Sequence, residues 1–374
     1  MSDGSAMRVC IDGTPLLVRS AGVKTYLYHW LRSLQASNSP HKLTIFPRIG
    51  PLPALDHRLS VKPLLPTAFR FAMVAVLNRS WWPAGPSCDV FHASNLVRCL
   101  PRNAKAITAT LHDLTTWTMP EMHTRGNIAA DQAFAEAIIR KADRLIAVSE
   151  HTRQDAIKVL RIPNDRIDVI HHGVPDYYFE ATPQEAEAVA GKHQLERPYI
   201  LFCATIEPRK NLETLLDAYN LLAPSLQETF DLVVAGMAGW ASQATVERLK
   251  SSGNGVRYLG YVAESDMPGL TRGATVFVYP SLYEGFGFPL AQAMAAGVPA
   301  ITSAVSSMPE IAGDAALLID PRSCEELRVA ITRLLLSPSE RESLAAKARR
   351  QAERYRWEDC ASKSWAFFER ALGR

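Results

Sequence analysis

Short β-type apolar runs alternate with amphipathic helical stretches along almost the whole chain, and this alternation restricts the fold more than any other feature. The first run, Arg8 to Asp12, leads through a loop into a stretch where Val23, Tyr26, Leu27, Trp30, Leu31 and Leu34 recur at helical spacing. Further strands are expected at Leu43 to Phe46, Val90 to His92, Ala106 to Leu111, Arg144 to Val148 and Ile167 to His171. Strands separated by helices pair in parallel, with the helices covering both faces of the sheet. A polar, Ala-rich stretch, EATPQEAEAVAGKHQLERP, follows Val174, and a second series then opens. It runs through Tyr199 to Thr205, Leu232 to Ala235, Val256 to Leu259, Thr275 to Tyr279 and the pair Ala300 and Ile301.

A chain of 374 residues is too long for one ordinary core, since single domains usually run to ~100 to 200 residues. The expected fold class is α/β, with two doubly wound parallel-sheet domains over residues 1–180 and 181–356. A last amphipathic stretch, residues 357–374, carries Trp357, Trp365 and Phe368 as large anchors for a final helix. The net charge of +3, with both signs interspersed, excludes a broad nucleic-acid surface. The cysteines at 10, 88, 99, 203, 324 and 360 form no C-x-x-C pair, which suits a reducing compartment and a role as core filler. MSDGSAMRVCID lacks the apolar core of a signal peptide, so the reading is cytoplasmic. The segment Phe69 to Trp82, with its arginines and paired tryptophans, is read as a buried helix and loop; peripheral contact with the inner face of a membrane is the alternative.

Two stretches carry chemistry. In YPSLYEGFGFPLAQAMAAG, residues 279–297, Pro289 suits a first helical position and Gly297 the position just past a helix end. Gly285 and Gly287 leave backbone amides uncovered at that helix N-terminus, which favours anions or sugar hydroxyls, and Glu284 stands at its mouth. In ATIEPRKNL, residues 204–212, Arg209 and Lys210 follow a strand end, where open α/β sheets bind ligands, and Asn211 is placed to cap the next helix. Arg209 grips phosphate oxygens through its planar fork and Lys210 adds a point charge; one of the two is expected to face solvent. A structural reading is preferred for His171 and His172, since adjacent strand residues point to opposite faces.

The order ATIEPRKN, VVAG, YLGYV and SLYEGFGFPLAQAMAAGVP resembles the C-terminal half of the family 4 retaining glycosyltransferases of the GT-B type. IDGTPLL with Gly22, then LHDL, then KADRLIAVSEHTRQD and IDVIHHGV extend the resemblance over the N-terminal half. It implies two Rossmann-like domains facing across a cleft, the first binding acceptor and the second a nucleotide-sugar donor, with the final helix crossing back to the first domain. It further implies donor contacts from Gly22, Arg209, Lys210, Val262, Glu284, Gly285, Phe286, Gly287, Phe288 and Gln292, and catalytic roles for His112, Glu284, Lys210 and Arg209. GDP-mannose is the first donor to expect, with UDP-glucose and UDP-N-acetylglucosamine as alternatives, and the acceptor is a glycan or lipid-linked hydroxyl. No Asp-x-Asp occurs, so no metal cofactor is expected and the two cations would neutralise the leaving diphosphate. Gln292 departs from the family pattern, which places a second Glu there to hold the ribose; the change removes one charge-assisted hydrogen bond, worth about 1 kcal/mol. The rival readings are a nucleotide-sugar-binding protein without turnover, an epimerase or hydrolase of similar architecture, and a dehydrogenase, the last lacking G-x-G-x-x-G after the first strand.

Overall fold

The computed structural model describes residues 6–17, 22–46, 52, 55, 87–94, 96, 100–101, 103–253 and 255–373. The segment Phe69 to Trp82 and Cys99 lie outside these residues. The chain divides into two compact units, Met1–Gly173 with Trp357–Arg374, and Val174–Arg356.

The first unit holds a parallel sheet in the order β2-β1-β3-β4-β5-β6, formed by β1 (Arg8–Asp12), β2 (Lys42–Phe46), β3 (Cys88–Ala93), β4 (Ala104–Leu111), β5 (Arg144–Ala147) and β6 (Ile167–Val169). Order reverses at β1 and β3, the topological switch of a doubly wound sheet. Every residue of β3 is buried, as a central strand covered on both faces requires. Helix α1 (Gly22–Ala36) turns Tyr26, Leu27, Trp30, Leu31 and Leu34 inward, and Lys24, Thr25 and Tyr28 are buried as well. Helix α2 (Arg125–Phe134) runs into a π turn, Ala135–Ile139. β6 stops at Val169, so His171 and His172 lie beyond it and the alternating-face argument does not apply to them. His172 is nonetheless buried, its ring 4.4 Å from that of Tyr26.

The second unit repeats the plan with β7 (Tyr199–Cys203), β8 (Asp231–Ala235), β9 (Val256–Gly260), β10 (Val276–Tyr279), β11 (Ala300–Ser303) and β12 (Ala316–Ile319), ordered β12-β11-β10-β7-β8-β9. β12 has no counterpart among the expected strands: it is a four-residue edge strand whose Leu318 is exposed, and so short a run lacks a readable period. Helix α3 (Leu212–Asn220) follows β7, and α4 (Phe288–Ala295) follows β10 with Pro289 in its first turn and Gly297 at φ 69° past its end.

The last helix, α5 (Trp357–Ala371), packs on α1 in the first unit. Trp30 Nε1 donates to Ser364 Oγ at 2.9 Å and Trp365 Nε1 to Ser37 Oγ at 2.8 Å, so these two indoles are both hydrogen-bonded across the helix pair. Cys10, Cys88 and Cys360 are buried free thiols. Among the described residues no helix is long and apolar enough to cross a membrane.

Candidate active site

Parallel strands deliver their C-terminal ends to one edge of the sheet, and in the second unit the ends of β7 and β10 carry the charged residues singled out above. After β7 the chain passes Glu207, makes the single 3-10 turn Pro208–Lys210 and enters α3 through Asn211 in the left-handed conformation, φ 58°. The loop after β10 is stitched to that turn: Leu282 N donates to Arg209 O at 2.8 Å, and Ser281 Oγ to the same carbonyl at 3.1 Å. Asn211 does not cap α3 through a backbone amide. Its Nδ2 instead donates to Pro280 O at 3.0 Å and Pro321 O at 2.6 Å, tying together three loops at the strand ends.

These ties set the charges against one another. Lys210 Nζ donates to Glu284 Oε1 at 2.6 Å, and Arg209 Nη1 lies 3.2 Å from the same oxygen. Tyr279 OH, at 2.8 Å, and Ser281 Oγ, at 2.6 Å, donate to it too. Oε1 is thus saturated, while Oε2 accepts no hydrogen bond from the described residues. Arg209 is clamped by Tyr283 O at 2.6 Å and Glu207 Oε1 at 2.7 Å. Its side chain is 14% exposed and that of Lys210 11%, so neither cation faces solvent as expected of one of them. Ser306 Oγ accepts from Glu284 N at 3.0 Å, and Ser307 Oγ donates to Glu284 O at 2.9 Å, which fixes the backbone of the turn.

Burial alone would raise the Glu284 carboxyl, but the charges of Lys210 and Arg209 and the hydrogen bonds from Lys210 and Ser281 hold it down at about 2. Burial, then Arg209, pushes the Lys210 ammonium below its ordinary value against the opposing pull of Glu284 and Glu207. Two cations and two carboxylates therefore balance within one buried cluster.

The remaining donor-side residues are distributed as follows. Gly287 starts α4 at φ 95°, where an added Cβ would lie 2.2 Å from Met308 Cε, so only glycine fits. Phe286 is a core residue, its ring 5.5 Å from those of Phe288 and Tyr355, which leaves its backbone as the part able to meet a ligand. Val262 is buried just past β9, and Gln292 is half-buried on α4. In the first unit, Gly22 opens α1 with open space where a Cβ would stand. His112 follows β4, its ring 4.9 Å from Tyr26 and nearly perpendicular to it. Burial lowers His112 to about 4 against the pull of Asp113, so it is neutral near pH 7. Tyr279 and Ser281 lay within the quoted stretch without being singled out, and Ser306 and Ser307 come from a separate loop with no local signal. Among the described residues no three His, Cys, Asp or Glu side chains are grouped to hold a metal ion.

Comparison with known proteins agrees with this architecture. The family model described as Glycosyltransferase Family 4 matches residues 20–176, and that described as Glycosyl transferases group 1 matches 183–351. The chain is 30% identical to the O-antigen chain mannosyltransferase B of Escherichia coli over 379 residues, covering 96% of this chain and 98% of that protein. Sucrose-phosphate synthase from Thermosynechococcus elongatus superposes with a TM-score of 0.74 at 18% identity, over 98% of this chain and 99% of the other. The Anabaena protein HepE in complex with UDP and glucose gives 0.69 at 16% identity, over 97% and 99%. These structural likenesses establish the fold as that of GT-B glycosyltransferases. With a relative matched almost from end to end and both halves covered by family models, the chain belongs to the group 1, family 4 glycosyltransferases.

Proposed function

We propose that this glycosyltransferase moves a hexose, mannose first, from a nucleoside-diphosphate sugar to a hydroxyl of a glycan or lipid-linked acceptor, with retention at the anomeric carbon. The observation that carries the proposal is the buried cluster in which Arg209 and Lys210 converge on Glu284 Oε1 while Oε2 stays available. Donor phosphates bring the negative charge that such a pair of cations can share, and Oε2 can accept a hydroxyl of the transferred sugar. Mannose is favoured over glucose and N-acetylglucosamine by the relative named a mannosyltransferase, the UDP complex of HepE supports a nucleotide-sugar in general, and GDP-mannose is the donor to test first.

In this scheme the bond from the anomeric carbon to the diphosphate breaks as Lys210 and Arg209 neutralise the leaving oxygen. The acceptor hydroxyl forms the new bond on the same face and its proton passes to the departing phosphate. Gly22, Val262, Gly285, Phe286, Gly287 and Phe288 contribute donor contacts, Gln292 meets the ribose, and His112 stands at the reacting centre. Because protein cations perform the neutralisation, activity should persist in a chelator. The test is a panel of GDP- and UDP-sugars read by thermal stabilisation and by diphosphate release with and without acceptor. Stabilisation by none of them would refute the reading, and stabilisation without acceptor-dependent release would reduce the protein to a binder.

A further inference from the structure

A second pair of cations lies in the second unit, at the opposite end of α4 from the Glu284 turn. The eight residues of α4 keep the two places apart by about 12 Å of helix. Arg272 closes the short helix Met267–Arg272, and Arg349 stands in the last turn of the helix Pro338–Ala352. Both reach the residues that end α4 and lead into β11. Arg272 Nη1 donates to Ala296 O at 3.3 Å, and Arg349 lies across Gly297, where an added Cβ would stand 2.6 Å from its Nε. Glycine at φ 69° makes the room for that side chain. Burial, then the charge of Arg349, pushes the Arg272 guanidinium below its ordinary value, as expected of two cations held near each other. Arg272 Nε is buried and donates to nothing among the described residues.

The protein's own charges do not balance this pair. Among the described residues no carboxylate forms an ion pair with either arginine, and the second unit is described throughout except at Asn254. Asp314, which a neighbouring turn of the same helix approaches, is held by Lys347 at 2.9 Å instead. The C-terminus of a helix carries only about half a negative charge, which one guanidinium matches and two exceed. Two like charges on one helix end, with a buried donor that finds no acceptor, call for an anion. Guanidinium forks favour an oxyanion, since each can offer two parallel N–H groups to phosphate oxygens. We infer that Arg272 and Arg349 form a binding site for a phosphate group, separate from the Arg209 and Lys210 cluster. The site shares no residue with the glycosyl-transfer scheme and does not depend on it.

Thermal unfolding of the full-length protein in orthophosphate, with chloride at equal ionic strength as the control, tests it. Phosphate is expected to raise the unfolding midpoint of the wild type. It should do the same for the double variant Lys210→Met with Glu284→Gln, whose donor cluster has lost one cation and its central carboxylate. Arg349→Gln and Arg272→Gln should each weaken the phosphate response roughly fivefold or more, with Arg349→Lys intermediate. Arg349 is exposed, so its variants should keep the wild-type far-UV circular dichroism, which certifies their fold. Sedimentation with phosphatidylglycerol vesicles, against phosphatidylcholine vesicles, separates the two sources of such a group. Capture that is lost in Arg349→Gln identifies a lipid headgroup, and stabilisation by orthophosphate without capture identifies a free phosphate. No stabilisation beyond chloride, or an equal phosphate response in Arg349→Gln, overturns the site and leaves the arginines as caps of α4. Loss of the response in the Lys210 and Glu284 variant overturns it as well, by returning the phosphate to the donor cluster.

Discussion

Lys210 and Glu284 form a buried ion pair, Nζ to Oε1 2.6 Å, across 74 residues of sequence. The pair closes because Ser281 and Leu282 hold the β10 loop against the carbonyl of Arg209, so the cation on one strand end and the carboxylate on another are aligned by backbone ties. In the absence of donor it also neutralises both groups, and phosphate oxygens would have to share a cation that is already engaged.

Lys210→Ala is expected to abolish transfer and to destabilise the protein by about 3 kcal/mol, the low end for breaking a buried pair, because Arg209 still faces Glu284. Urea unfolding measures the loss. The double variant Lys210→Met with Glu284→Gln removes both charges and should recover most of the stability while remaining inactive. Full activity in either variant would remove these residues from the chemistry.

Gln292→Glu should tighten nucleoside-diphosphate binding about fivefold, the equivalent of ~1 kcal/mol for one restored charge-assisted hydrogen bond. Calorimetric titration with GDP and UDP checks this. Unchanged affinity for both would place position 292 away from the ribose.

The first unit should be acid-labile. Burial holds His92 down at about 3 and His112 at about 4, and holds His172 low as well. Below their ordinary value of 6.5 the unfolded chain binds protons that the native state refuses, so stability present above 6.5 falls as pH drops. Asp12 works in the opposite sense: burial raises it to about 6 from 3.8, so the native state holds its proton in that window and its contribution is lost as pH rises through 6. Three histidines against one carboxyl leave the unfolded chain binding more protons than the native state near pH 5, so stability falls with pH there. Unfolding midpoints at pH 7, 6 and 5 read the slope, and His92→Asn should reduce it by about one proton.

Phe368→Ala should cost about 3 to 5 kcal/mol, since this fully buried side chain packs with Trp30 at 6.1 Å and Trp365 at 5.9 Å. Proteolysis should then release α5 first. Resistance equal to wild type would mean that α5 contributes little to the first unit.

Periodicity located nearly all strands and the helices that carry the site, because parallel strands buried on both faces and amphipathic helices write their environment into local sequence. It failed where environment is not local. β12 is too short and too exposed to show a period. Asn211, in a position that reads as a helix cap, turns its amide to Pro280 and Pro321 because the loops carrying them arrive beside it. One of the adjacent cations Arg209 and Lys210 reads as solvated from sequence alone, yet Glu207 and Tyr283 enclose the first and Glu284 holds the second.

The sequence by itself determined the α/β class, the placement of Arg209, Lys210 and Glu284 at strand ends, and the family, because each depends on short-range pattern or on motifs in order. Only the tertiary structure decided that Oε1 of Glu284 takes three hydrogen bonds and the Arg209 ion pair while Oε2 takes none from the described residues, and that a π turn, Ala135–Ile139, borders the space beside His112. Those outcomes depend on contacts between residues far apart in the chain, and hydrogen-bond direction and cavity shape are set to within a fraction of an ångström by packing that no single segment specifies.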